Sequence, residues 1–516
     1  MEDYLRKRRR VFLIVMPAFL GALYMILCAV NLQQSIWFDE SFSSYLTRFD
    51  LKSIWEFTAA DVHPPFYYFL LKAWAHVFGH TDFAMRMMST ILGAIAIMFA
   101  FLWLKYKYGL KAASISGFLL SISPIFIRYG QEMRMYTLVV AIVFAATFFL
   151  QLAIDNGRKC WWIIYAILVA LGMWTHYFAA LAWCAHLLYL IKIYGKKFWT
   201  EKIWLVYVLS ILLFLPWVPS LFAQVTDVEQ NGFWVSPVSV STIASYFTEG
   251  IYYMRADEVK NWLMILAVIT FFVISFLLIH YRKRMTLLLL VALVPLELLM
   301  LLSMPPLDPL FISRYIMFAM LAIPMATGVG VTLLMGDINK KARRSKKNRP
   351  AWRPALTAIC LALLLVGSSV IGVATVYQKG NYNMDTGMKT VSKNIFNSVV
   401  GLDAGKNLPI ISNSAWLYYD LVAYTSEEHP VLFINEKTSY KYGSMKPLEK
   451  SYFGRIDDLD GWLAKHDSFW YVGKAPTKEG QDYIKFPREG WRVAEVMNQQ
   501  YDEHSYTYQI LKLERE

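Results

Sequence analysis

Apolar stretches close to twenty residues long recur along this 516-residue chain, separated by short polar segments. About 20 apolar residues in a helix cross about 30 Å of hydrocarbon. The pattern predicts about eleven spans, at 11–30, 84–104, 111–128, 134–153, 161–176, 178–193, 203–221, 262–281, 286–303, 312–335 and 355–377. The first run is too long for a signal peptide and lacks a clear small-x-small cleavage site, so it reads as an anchor. Between the first two spans, 66–78 predicts an interfacial helix, with Phe66, Phe69, Leu70, Trp74 and Val77 on one side.

After residue 377 the pattern changes. Short β-like runs at 409–411, 431–434, 469–472 and 506–513 alternate with helical patterns over 416–424 and from Leu448 onward. That alternation predicts a small α/β domain. The expected architecture is a polytopic α-helical membrane module over 1–377, with outer segments at 31–83 and 222–261, followed by an extracytoplasmic α/β domain over 378–516.

Composition agrees with the membrane reading: the chain is 57% hydrophobic and 17% charged, against about 25% charged in soluble domains. The net charge of +13 would suit nucleic acid if it were concentrated on one surface. Instead the basic residues sit between spans, at Arg6 to Arg10, Lys105 to Lys107, Arg158-Lys159, Lys196-Lys197, Arg282 to Arg284 and Lys340 to Arg349. Alternate crossings place all of these clusters on one side. That is the positive-inside pattern, with a cytoplasmic N-terminus, an outer tail and basic loops touching anionic lipid. A multi-pass protein of the cell membrane is expected, and no nucleic-acid partner. The four cysteines lie in or beside spans, so no disulfide framework is expected.

The candidate chemistry falls on the outer side of this topology. Asp39 and Glu40 follow the first span, flanked by Trp37, Phe38 and Phe42. One of these carboxylates can deprotonate an acceptor hydroxyl as a general base, and its neighbour can bind a divalent cation (Mg²⁺ or Mn²⁺) through oxygen. A solvated acidic pair is the plainer reading. His63-Pro64-Pro65 opens the 66–78 helix, and His63 can meet a phosphate or an acceptor there, or play only a local role. Arg86, with Ser89, begins the second span and either contacts a lipid phosphate or snorkels to the interface. Glu132 and Arg134 occupy a very short outer loop, where Glu132 can complete a metal site with Glu40 or pair with Arg134. His176-Tyr177 ends a span on the same face, and Arg314-Tyr315 opens another, where an arginine fork suits a phosphate. Inside spans, His186 reads as helix-packing glue, and Glu297 as a carboxylate in need of a partner.

Taken together, Asp39-Glu40, His63-Pro64-Pro65-x-Tyr67-Tyr68, Ala84-x-Arg86-x-x-Ser89, Gln131-Glu132-x-Arg134-x-Tyr136, His176-Tyr177 and Arg314-Tyr315 resemble one family. It is the bacterial GT-C glycosyltransferases, and among them the protein-mannosyltransferase and aminoarabinose-transferase superfamily, often called the dolichyl-phosphate-mannose–protein mannosyltransferases. The resemblance covers roughly 1–335. It implies a sugar donor on a polyprenyl phosphate and transfer at the outer face, with anomeric inversion, to a protein, lipid or cell-wall glycan. It implies Asp39 as general base and Glu40 and Glu132 as cation holders or acidic lining. Arg314, Arg86 and Arg134 would grip the donor phosphate. His63 stands where some members carry lysine. Two other classes fit the bundle. A flippase of lipid-linked sugars has no need of the acidic cluster, and a receptor or assembly factor would tolerate loss of Asp39.

Overall fold

The computed structural model describes residues 2–231, 235, 237–305, 307, 309–344, 352–380, 382–383, 388–389, 392–434, 443–449, 454–476, 482–499 and 507–516. The chain divides into two compact units. One comprises 1–32 and 86–378, the other 33–85 and 379–516. The first outer segment thus groups with the tail, not with the spans beside it in sequence.

Each predicted span coincides with an apolar helix. Six are long and apolar enough to cross a membrane on their own: Asp82–Tyr108, Tyr136–Asn156, Leu205–Gln230, Asn261–His280, Ser313–Lys340 and Ala355–Lys379. A seventh is broken, with Leu110–Ser121 and Pro124–Gly130 meeting at 61°. Pro124 sits in the first turn of the second piece, behind Ser123 in an extended conformation, which favours a new helix start at that point. Four shorter apolar helices, Ile14–Ala29, Lys159–Thr175, Ala179–Tyr194 and Thr286–Leu301, account for the remaining spans. A 16-residue helix such as the last is about 24 Å long.

Within this unit, small residues let helices approach closely. A Cβ on Gly328 would lie 2.6 Å from the Ser116 backbone, and Ser116 Oγ donates to Met325 O at 2.7 Å. Hydrocarbon gives no hydrophobic drive for helices to associate, so such close packing and interhelical hydrogen bonds hold them together. His186 behaves as expected of helix glue, 3.0 Å from Thr147 Oγ1 and 3.2 Å from the Tyr165 hydroxyl. Glu297 has no such place: it is exposed on its helix, one turn from the helix end at Leu301. The described basic clusters at 105–107, 158–159, 196–197 and 282–284 lie at helix ends or in the turns between helices, and 345–349 lies outside the described residues.

The other unit is built on a six-stranded mixed sheet of order β5-β4-β3-β6-β8-β7. Its strands are β3 (Ile410–Ser412), β4 (Val431–Ile434), β5 (Arg455–Ile456), β6 (Ser468–Lys474), β7 (Trp491–Gln499) and β8 (Tyr508–Arg515), after a separate ribbon of β1 (Tyr382–Asn383) and β2 (Met388–Lys389). β5, β4, β3 and β6 run parallel, and β8 and β7 add an antiparallel hairpin. Phe469 and Tyr471 face a core with Ile411, Leu459, Leu463, Leu511 and Leu513, while Trp470 and Val472 are buried on the opposite face. A strand covered on both faces reads as a continuous apolar run, which is why β6 is legible in sequence.

Two expectations in the tail are corrected. From Leu448 onward the described residues give the end of a 3₁₀ turn at Gly443–Leu448, the strand β5 and then only a short helix, Leu459–Leu463. The edge strand β7 has no counterpart in the sequence reading. Its side chains are mostly exposed, so it shows no apolar alternation and is held by backbone pairing to β8.

The interfacial helix forms as Phe66–Phe78 and buries Tyr67, Tyr68, Leu71 and Ala75. Val77 stays 69% exposed and Phe78 56% exposed. The apolar side read from the sequence is therefore the outward side, as a helix lying at a bilayer surface requires.

Candidate active site

The two units each hold one constellation. In the unit built from 33–85 and the tail, the acidic pair opens the helix Phe38–Leu46. Trp37 precedes it in an extended conformation, and Glu40 accepts the Trp37 backbone N–H at 3.4 Å. An acid in the first turn satisfies an otherwise orphaned donor and suits the positive helix end. Glu40, 1% exposed, therefore has a capping job, whereas Asp39 in the same turn is half-exposed and accessible.

A third carboxylate, which sequence reasoning missed, lies beside this pair. Asp420 Oδ1 is 2.7 Å from Ser41 Oγ. Burial pushes the Asp420 carboxyl up to about 7; the Ser41 hydrogen bond pulls it back, and the negative charges of Asp39 and Glu40 add to the rise. Asp420 sits on the tail helix Ala415–Val422, whose aromatics pack on the same short helix: Phe38 lies 4.6 Å from Trp416, and Tyr45 lies 5.1 Å from Tyr419. No sequence signal ties Asp420 to Asp39, because 379 residues separate Ser41 from Asp420.

His63 is buried with Asp61, Nδ1 to Oδ2 at 3.3 Å, just ahead of the Phe66–Phe78 helix. Asp61 is also a residue that the motif reading did not single out.

The membrane unit holds a basic and aromatic constellation. Arg128, Arg134 and Arg314 are buried at 5%, 3% and 6% exposure, and Arg86 at 2%. Glu132, 1% exposed, is ion-paired at 3.2 Å with Arg128, four residues earlier on the Pro124–Gly130 helix. Arg314 Nε donates to the Tyr136 hydroxyl at 2.9 Å, and its guanidinium lies 5.8 Å from the Tyr136 ring and 5.7 Å from the Tyr315 ring. His176 joins the same cluster, 5.0 Å from Tyr315 and 6.1 Å from Tyr136, ring to ring. Tyr177 points elsewhere in this unit, donating to Gln224 and accepting from Trp217 Nε1 at 2.7 Å. Arg86 does not snorkel to an interface. It is buried and donates to Leu32 O at 3.1 Å, while Ser89 Oγ, one turn on, donates to Arg134 O at 3.3 Å.

Two contributors were overlooked in the sequence. Arg128 stands at the end of the broken span, and Tyr253 reaches it by a side-chain hydrogen bond from the 222–261 segment. Tyr253 ends the helix Val240–Tyr252 at φ 53° and is buried. A bulky residue in the left-handed region costs on the order of 1 kcal/mol or more, a strain that tends to mark working sites.

Among the described residues no group of three or more His, Cys, Asp or Glu could hold a metal ion. Glu40 is occupied in capping and Glu132 in its pair with Arg128.

Residues 62–219 match the family model described as dolichyl-phosphate-mannose-protein mannosyltransferase. No curated protein sequence matches the chain. Among solved structures, ArnT from Cupriavidus metallidurans, captured with undecaprenyl phosphate, superposes with a TM-score of 0.59 at 12% identity, covering 96% of this chain and 97% of that one. Its apo state gives 0.60 at 14% identity, with the same coverage. The archaeal oligosaccharyltransferase AglB from Archaeoglobus fulgidus, solved with an inhibitory peptide and a dolichol-phosphate, gives 0.53 at 10% identity, over 90% of this chain and 70% of that one. The chain is a polytopic membrane protein with the GT-C glycosyltransferase fold of ArnT and AglB, and its residues 62–219 carry the pattern of the dolichyl-phosphate-mannose–protein mannosyltransferase family.

Proposed function

We propose that this protein is a membrane glycosyltransferase that moves a sugar from a polyprenyl phosphate to a hydroxyl acceptor on the outer face of the cell membrane, its N-terminus being cytoplasmic and its tail outside. The observation that carries the reading is the buried charge of the membrane unit. Among its described residues, Arg86, Arg128, Arg134 and Arg314 are buried with a single buried carboxylate, Glu132. The phosphate of a lipid-linked sugar is a bidentate match for the arginine guanidinium. Tyr136, Tyr315 and His176 hold Arg314 in place and give the cluster a flat aromatic lining.

Asp39 is the general base of this reaction. Its carboxylate accepts the acceptor's hydroxyl proton as the hydroxyl oxygen bonds to the anomeric carbon. The bond from that carbon to the phosphate oxygen breaks, and polyprenyl phosphate leaves with the electron pair, its charge met by the arginines. A single displacement of this kind inverts the anomeric centre. Nucleotide sugars are charged and cytoplasmic, whereas a lipid-borne sugar reaches an outer site through the bilayer. A protein, a lipid or a cell-wall glycan can each supply the hydroxyl.

The test is transfer from a panel of radiolabelled polyprenyl-phosphate sugars in membranes containing wild-type protein or Asp39→Asn at matched levels. Loss of a general base is expected to cost about 10²–10⁴-fold in rate. Wild-type protein that moves label from no donor, despite a supplied acceptor, would sink the transferase reading. Full transfer by Asp39→Asn would remove Asp39 as the base.

A further inference from the structure

The tail's sheet has a topological switch point. β4 lies on one side of β3 and β6 on the other, all parallel. Open α/β sheets use the crevice at the carboxyl ends of such strands. Here the carboxyl end of β3, Ser412, runs through Asn413 into Ser414, which caps the helix Ala415–Val422 by accepting Leu417 N–H at 3.3 Å. The helix that leaves this end of the sheet, Ala415–Val422, packs against the Phe38–Leu46 helix.

The contact between the two helices has a regular pattern. Phe38, Ser41 and Tyr45 follow i, i+3, i+7 spacing, so they share one face. They meet Trp416, Tyr419 and Asp420, which follow i, i+3, i+4. At 100° per residue, Asp39 lies about 200° around the helix from Ser41. The docked face is fixed by the tail while Asp39, off that face, keeps its exposure.

We propose that Asp420 is a positioning residue of the transferase centre: through Ser41 it fixes the rotation and register of the Phe38–Leu46 helix, and so the aim of Asp39. The inference rests on Asp39 being the base. Rings slide over one another at little cost, so aromatic packing alone leaves the register loosely defined. A hydrogen bond of 2.7 Å from a buried serine to a carboxylate does not slide. A slip of one turn would leave both polar groups without each other, and buried polar groups that demand one register are the best-attested use of such pairs.

The experiment measures kcat and donor KM on the full chain for Ser41→Ala, Asp420→Ala, Asp420→Asn and the double Ser41→Ala/Asp420→Ala. A misplaced base costs about 10²-fold for a displacement near 1 Å. Ser41→Ala and Asp420→Ala should therefore each lower kcat by about 10- to 100-fold with KM nearly unchanged. The double variant should be no worse than the worse single one, because both remove the same contact. Asp420→Asn keeps an oxygen acceptor for Ser41 and should retain most activity. Wild-type kcat in Asp420→Ala, losses that multiply in the double variant, or a change confined to KM would each overturn the proposal. If Asp420→Ala does not fold, Ser41→Ala and Asp420→Asn decide alone. An inactive wild type would refute the transferase reading instead, so the two failures are told apart.

Discussion

Replacing Glu132 by glutamine puts the buried charge of the membrane unit to a direct test. The Glu132 carboxylate is 1% exposed and lies 3.2 Å from Arg128, itself 5% exposed. Were this a surface pair, its loss would cost about 0–1 kcal/mol. Because both groups are buried, removing one strands the other, and the expected cost is about 3–5 kcal/mol. The same substitution removes one negative charge from beside the buried arginines of this unit. An anion added from outside then has more to neutralise. Thermal unfolding in detergent, with and without a short-chain polyprenyl phosphate, reads both effects. Glu132→Gln should melt well below wild type without the lipid and gain more from it than wild type does, by the linkage of binding to stability. Replacing both partners with apolar residues should cost less than the single change, since no charge is then stranded. An unshifted melting point in Glu132→Gln would refute the buried-pair argument. A normal shift with no added protection by polyprenyl phosphate would refute the phosphate assignment.

Two further outcomes follow from named contacts. Arg314→Lys keeps the charge but loses the Nε–H bond to Tyr136 at 2.9 Å and the planar fork; a hydrogen bond involving a charged group is worth about 1.5–3 kcal/mol, so donor KM should rise by roughly 10- to 100-fold, and unchanged steady-state kinetics would count against the role of Arg314. In the tail, burial tends to raise the Asp403 carboxyl, but hydrogen bonds from Trp470, Leu408 and His429 outweigh it and hold it below its ordinary 3.8. A group lowered on folding contributes stability that is fully present above its unfolded value and lost as pH falls through its folded value. Melting of the full chain should therefore lose this contribution only below about pH 4, and Asp403→Asn should flatten that acid limb; an identical limb in the variant would show that Asp403 carries none of it.

The local features were legible because their causes are local. A run of apolar residues predicts a span whatever surrounds it, and all eleven predicted spans found apolar helices. His63-Pro64-Pro65 predicted the start of the Phe66–Phe78 helix because proline fixes its own backbone. Arg314-Tyr315 stood out because arginine is costly at that depth, and the structure gathers it with Tyr136 and His176; β6 stood out because both of its faces are buried.

What the sequence withheld depends on partners far along the chain or on exposure. Glu132 pairs with Arg128, which stands near the end of the Pro124–Gly130 helix, a contact that a reading of 132–134 as an isolated loop overlooks. Glu297 looked buried in an apolar run, but composition does not say which side of a helix faces its neighbours, and the structure leaves it exposed. β7 escapes a periodicity reading because its side chains are mostly exposed and a bulge between Val493 and Glu495 breaks its alternation, the edge strand being held by its backbone. By itself the sequence determined the membrane spans, the helix starts and the residue types available for acid–base and phosphate chemistry, all set within a few turns of chain. Only the tertiary structure decided that 33–85 groups with the tail and that Asp420 reaches Ser41 across 379 residues, since such contacts exist only after the intervening chain has folded and leave no periodicity in either segment.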